Sequence, residues 1–235
     1  MKYLFQEKVQ LFLICLLLSL IPFFWLAPGE MDLGGDASRL YFYDPLSYLK
    51  NLSIYTISPD GTGPEFSFQL ALPFVLLLLV LKSIIQSSYL LITLFNGLSL
   101  VVAFLSMYGI VREFLKDENV ENGKEIVVHA VGIFAGAFYL LIPLSTGGGW
   151  DKALLDHTQI FINPLMFWFL LRFVHTRGLI YLLLALLVSF LFAHNFSYSS
   201  APKFFAFFPV AILYLSLYAI FVRKIRLPLR PLLFI

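Results

Sequence analysis

Three polar connectors between apolar runs gather the side chains that could do chemistry. In the first, Gly34-Gly35-Asp36 sets a carboxylate on flexible backbone, with Arg39 close behind. Glycine there lets the chain turn sharply and lets a bulky ligand come close. The plainer alternative is a solvated turn with an ordinary acidic residue. Asp44-Pro45 has the form of a helix cap followed by a first-turn proline, so Asp44 is expected to cap rather than to react. The second connector runs from Ser145 through Gly147-Gly148-Gly149-Trp150-Asp151-Lys152 to Asp156-His157. It joins a glycine hinge and an interfacial tryptophan to two carboxylates, a lysine and a histidine. A helix would splay Asp151 and Asp156 by about 140°, so they share a metal only if the glycines reshape the first turn. As helix N-terminal residues they need no ligand, because the helix dipole favours acids there. The third connector holds His194-Asn195 and Lys203.

No metal centre is expected. His157 and His194 are the pair that could meet across neighbouring helices, but a site needs three or four matched ligands. Neither a His-x-x-x-His pair nor a cysteine spacing supplies the rest. His129 and His175 sit at inner helix ends and need no role. The chain also lacks a dinucleotide fingerprint, a P-loop, a nucleophile elbow and a zinc-protease motif. Cys15, the single cysteine, lies in an apolar run and allows no intrachain disulfide.

The elements that must position these residues are transmembrane helices. Sixty per cent of the chain is apolar and only 13% is charged, where a soluble domain needs about a quarter charged. That excludes soluble enzymes and disordered or disulfide-scaffold classes, and the net charge of +2 is too small to suggest nucleic acid. Apolar blocks near the span of a bilayer core occur at 11–27, 89–111, 126–144, 158–174, 179–193 and 204–222. The first is read as an uncleaved helix, since Trp25 occupies a position where signal cleavage needs a small residue. Residues 28–65 form a long outer loop whose aromatic stretch around Tyr41, Phe42, Tyr43 and Tyr48 suits short helices lying on the bilayer.

Residues 66–86 are expected to be interfacial or re-entrant. Their unbroken apolar run is short, contains Pro73 and ends in Lys82. With the N-terminus cytoplasmic, every Lys and Arg except Arg39, Lys50, Lys82, Lys152 and Lys203 then lies inside, as the positive-inside rule requires. A crossing at 66–86 with the N-terminus outside restores the same excess, so charge alone leaves both topologies open. After the basic cluster Arg223–Arg230 a new apolar run stops at Ile235, and the chain reads as cut off at its C-terminus. The fold class expected is all-α: a polytopic transmembrane bundle of about six spanning helices, one domain over 1–235.

This order of features resembles the amino-terminal module of the C-type membrane glycosyltransferases, the GT-C class. More narrowly, Leu33-Gly34-Gly35-Asp36-Ala37-Ser38-Arg39 through Asp44-Pro45-Leu46-Ser47-Tyr48-Leu49 is similar to the first outer loop of the arabinofuranosyltransferase D family. Ser87-Ser88-Tyr89 through Leu100-Val101-Val102-Ala103-Phe104-Leu105 looks like that family's next helix, and Tyr139-Leu140-Leu141-Ile142-Pro143 resembles its helix ending in proline. The family's tryptophan-rich loop is replaced here by tyrosine and phenylalanine. The resemblance implies inverting transfer of a sugar, on the outer face, from a polyprenyl-phosphate donor to a cell-envelope glycan or lipid acceptor. By the family pattern Asp36 is the base for the acceptor hydroxyl, a task that partial burial favours by raising a carboxyl pKa. Arg39, Lys152 and Lys203 are the outer cations for the departing phosphate, with Asp44, Asp151, Asp156 and His157 as further binding candidates. A competing assignment puts the base at Asp151 or Asp156, with Asp36 orienting it or binding a divalent cation, the one cofactor left open.

The combined expectation is a multi-pass integral membrane protein of a bacterial plasma membrane, with the bilayer, a lipid-linked donor and an acceptor as partners and no nucleic acid. A non-catalytic membrane assembly protein and a lipid or polysaccharide transporter are the alternatives from other classes.

Overall fold

The computed structural model describes residues 2–25, 29, 40–54, 71–115, 124–145, 159–193 and 213–214. Among them the chain is helical, with no strand. The helices are α1 (Lys2–Leu20), α2 (Leu40–Tyr43), α3 (Pro45–Ile54), α4 (Leu72–Ile84), α5 (Ser88–Leu115), α6 (Lys124–Ser145), α7 (Gln159–Thr176) and α8 (Leu179–Leu191). A 3₁₀ turn over Ile21–Phe24 follows α1. Pro22 accounts for the change of helix type there, since a proline cannot donate the next α-helical hydrogen bond.

Three helices, over Gln6–Phe24, Ser88–Leu115 and Glu125–Ile142, are long and apolar enough to cross a membrane, while α4, α7 and α8 are shorter apolar helices. Large apolar side chains face outward on several of them, among them Phe12 and Leu17 on α1, Phe134 on α6 and Phe190 on α8. An exterior of that kind suits lipid and would be a liability in water.

The central helix is α5, whose buried side carries Leu91, Ile92, Leu100, Ala103 and Phe104. Glycines set how closely its neighbours approach. A Cβ on Gly97 would lie 2.6 Å from the Ser19 carbonyl oxygen, so α1 and α5 touch backbone to backbone at that crossing. Gly132 and Gly136, one turn apart on α6, face the rings of Tyr108 and Phe104, one turn apart on α5. That is the small-residue spacing by which membrane helices pack tightly.

Pro164 lies inside α7 and leaves the carbonyl four residues earlier without its helical donor. That carbonyl belongs to Ile160, and the Tyr139 hydroxyl of α6 donates to it at 2.7 Å. A helix interruption thus becomes an inter-helix tie. The buried hydroxyls of α5 are used locally instead: Thr93, Ser99 and Ser106 donate to the carbonyls of Tyr89, Phe95 and Val102.

Candidate functional site

The described residues place polar chemistry at two ends of the bundle. At one end an aromatic cluster docks the loop helices. Phe42 of α2 is 0% exposed and packs edge-on against Phe74 of α4 and Phe95 of α5. Tyr41 meets Phe74 and Tyr48 of α3, and the cluster continues through Phe192 after α8 and Phe161 of α7. Edge-to-face ring pairs contribute about 0.5–1.5 kcal/mol each beyond their buried area, so α2 and α3 are tied to the bundle by several such contacts.

On this support sits a small polar corner. Asp44 accepts the Ser47 N–H at 3.0 Å and so caps α3, as its place before Pro45 suggests. The Ser47 hydroxyl and amide hold its carboxyl below the usual carboxylate range, helped by Lys50. Lys82, near the end of α4, donates to Ser88 at the start of α5 and lies close enough to feel the Asp44 charge. Burial pushes the Tyr48 hydroxyl up. A carboxylate capped by Ser47 and a cation bonded to Ser88 thus lie at the same end of the bundle. Lys82 was expected on the outer side with no part in the site; its pairing with Ser88 depends on how α4 folds back along α5.

Of the candidate catalytic and binding residues, only Asp44 falls within the described part. Asp36, Arg39, Asp151, Lys152, Asp156, His157, His194 and Lys203 lie outside the described residues, as does nearly all of the expected span 204–222. Among the described residues no group of three or more His, Cys, Asp and Glu is placed to hold a metal.

The other end is charged, and its network was not foreseen. Glu7, its side chain 7% exposed, accepts from Arg112 Nη1 and from the Tyr108 hydroxyl, each at 2.7 Å. His129 bridges Tyr108 at 3.0 Å and Gln10 at 2.9 Å, so α1, α5 and α6 meet at one carboxylate. Beside it Glu113 pairs with Arg172 at 2.5 Å and with His175 at 3.0 Å. Arg172 also donates to the Tyr181 hydroxyl and lies over that ring, joining α5, α7 and α8. His129 and His175, expected to be idle helix-end residues, are thus working members of helix-end ties. The acid–base signal was present in Glu7 and Glu113, two carboxylates close to apolar spans. Their partners are too distant along the chain to be read from spacing.

Comparison with known families, characterised proteins and solved structures finds no match for this chain.

Proposed function

We propose that this chain is a membrane glycosyltransferase that moves a sugar from a polyprenyl-phosphate donor to a cell-envelope acceptor on the outer face of the membrane, with Asp36 as general base. The observation that carries this reading is the docking of α2 and α3 by the Tyr41–Phe42–Phe74 cluster. Asp36 stands just before α2 in sequence, so the segment bearing it enters a helix that is anchored on the bundle. A transferase acting on a lipid-borne donor needs its base at such an interface, where apolar surroundings favour a raised carboxyl pKa. The neighbouring Lys82 adds a cation to Arg39, Lys152 and Lys203 for the departing phosphate. The transporter alternative gains no support from α5, whose hydroxyls at Thr93, Ser99 and Ser106 are spent on their own helix.

The test is transfer from polyprenyl-phosphate sugars in proteoliposomes, with single Asn variants at Asp36, Asp44, Asp151 and Asp156 and a thermal-melt control. Asp36→Asn should lower the rate about 100- to 10,000-fold, the range for a lost general base, with an unchanged melt. Asp44→Asn should have little effect, because asparagine caps a helix as well as aspartate. Retention of more than about a tenth of the wild-type rate by Asp36→Asn would remove it as the base. A loss confined to Asp151→Asn or Asp156→Asn would move the base to the second connector.

A further inference from the structure

At the charged end, α1, α5 and α7 line an open cleft of about 340 Å³, within the range of about 300–1,000 Å³ in which small ligands bind. Its lining is graded. Leu11, Leu105, Trp168, Arg112, Glu113 and Arg172 are among its lining. Since Trp168 packs on Gly109 and Arg172 pairs with Glu113, the register of α5 puts Leu105 at the apolar end and the charges towards the helix ends. Leu105 precedes Arg112 by two helical turns, about 10 Å along the axis. The 28 residues of α5 extend about 42 Å, beyond a hydrocarbon core of roughly 30 Å. Arg112, close to the end of that helix, therefore reaches headgroup level while Leu105 remains at the depth of acyl chains.

The guanidinium groups have donors to spare. Arg112 bonds Glu7 and Tyr108 through Nη1 alone, and its side chain is 42% exposed. Arg172 uses one N–H of Nη1 on Glu113 and one of Nη2 on Tyr181, which leaves the second N–H of each on a side chain that is 30% exposed. A guanidinium offers five N–H groups in a fork that matches phosphate. Glu113, the one acid in the lining, has its two oxygens engaged by Arg172 and His175, which offsets its repulsion of an anion.

We propose that this cleft binds an anionic phospholipid of the adjacent leaflet, its phosphate between Arg112 and Arg172 and the start of one acyl chain against Leu11 and Leu105. The apolar floor favours a lipid over a free ion, because inorganic phosphate would occupy only the cationic rim. This site lies at the opposite end from Asp44 and Lys82 and does not depend on the transferase reading.

The experiment uses the full chain in detergent, titrated by native mass spectrometry with phosphatidylglycerol and with phosphatidylcholine of the same acyl chains. Phosphatidylglycerol should bind about tenfold more tightly, because phosphatidylcholine offers the same phosphate but adds a choline cation that the two guanidinium groups repel. Leu105→Trp, which fills the floor, and the double variant Glu7→Gln/Arg112→Gln, which removes the cation without stranding a carboxylate, should each erase that preference. Excess inorganic phosphate should leave lipid binding unchanged. Equal affinity for the two lipids overturns the proposal and needs no variant to read. So does undiminished preference in both variants when their melts match wild type. Displacement of the lipid by inorganic phosphate would show a free-anion site and overturn the lipid assignment.

Discussion

Glu7 is the most consequential side chain among the described residues, because one carboxylate oxygen serves Arg112 and Tyr108 together and has His129 within 3.5 Å. Removing one partner from a fully buried pair costs about 3–5 kcal/mol. Arg112 is 42% exposed and can turn to solvent, so the expected cost is nearer the range for one unsatisfied buried group. Glu7→Ala should destabilise the protein by about 1–3 kcal/mol, read as an earlier thermal melt. A double-mutant cycle with Arg112→Gln should show clear coupling, and additive effects would mean that the pair does not act as one unit. Asp44 makes a smaller, pH-dependent contribution. Ser47 holds its carboxyl below the usual range, so the cap's stability is present above the unfolded carboxylate value of about 4 and is lost as pH falls through the lower folded one. Asp44→Asn keeps a capping oxygen that does not titrate. The melting advantage of wild type over this variant should therefore shrink between about pH 6 and pH 2, and a pH-independent difference would contradict the capping account.

At the scale of elements, contact geometry decides which helices can tolerate change. Gly97 faces the Ser19 backbone, which cannot rotate aside, whereas a Cβ on Gly178 would meet only side-chain atoms at 3.3 Å or more. Gly97→Ala should therefore push α1 off α5 and cost about 1–3 kcal/mol, the usual range for overpacking. Gly178→Ala should be close to neutral. Melting curves for the two variants side by side give the comparison, and equal stability would mean that the α1–α5 crossing is looser than this contact requires. The short helix α4 shows the same dependence on packing. Its 13 residues extend about 20 Å. Phe74 meets Phe95 while Lys82 meets Ser88, so α4 runs back along the first turns of α5.

For the whole molecule, the side on which each connector emerges decides which residues can share a site. If 66–86 stays on the outer side of the membrane, residues 58 and 116 lie on opposite faces. In a Cys15→Ser background, cysteines placed singly at Ser58 and Lys116 should be labelled by an impermeant maleimide from opposite sides of sealed vesicles. Labelling from the same side would put a crossing at 66–86 and carry the loops bearing Asp36 and Asp151 to opposite faces. The outward-facing Phe12, Leu17, Phe134 and Phe190 are compatible with a bilayer around the bundle, which makes vesicles the right setting for this measurement.

The sequence by itself determined that the chain is built of apolar helices, some long enough to cross a membrane, and where most of the described ones lie. The apolar block 89–111 became α5 and 126–144 became α6 with only small extensions at the ends, because a lipid-spanning helix satisfies its backbone internally and is signalled by a continuous local run. The Asp44 cap was legible for the same reason, since donor and acceptor are three residues apart. The start of α1 was less so: Glu7 and Gln10 precede the apolar block, yet they belong to a helix whose end is held by α5 and α6. Only the tertiary structure decided that Glu7 meets Tyr108, 101 positions away, and that His129 meets Gln10, 119 positions away. Such pairings follow from the order and closeness in which helices pack. Those depend on contacts such as Gly132 against Tyr108 and Tyr139 on the carbonyl freed by Pro164, where the groups that meet lie on different helices.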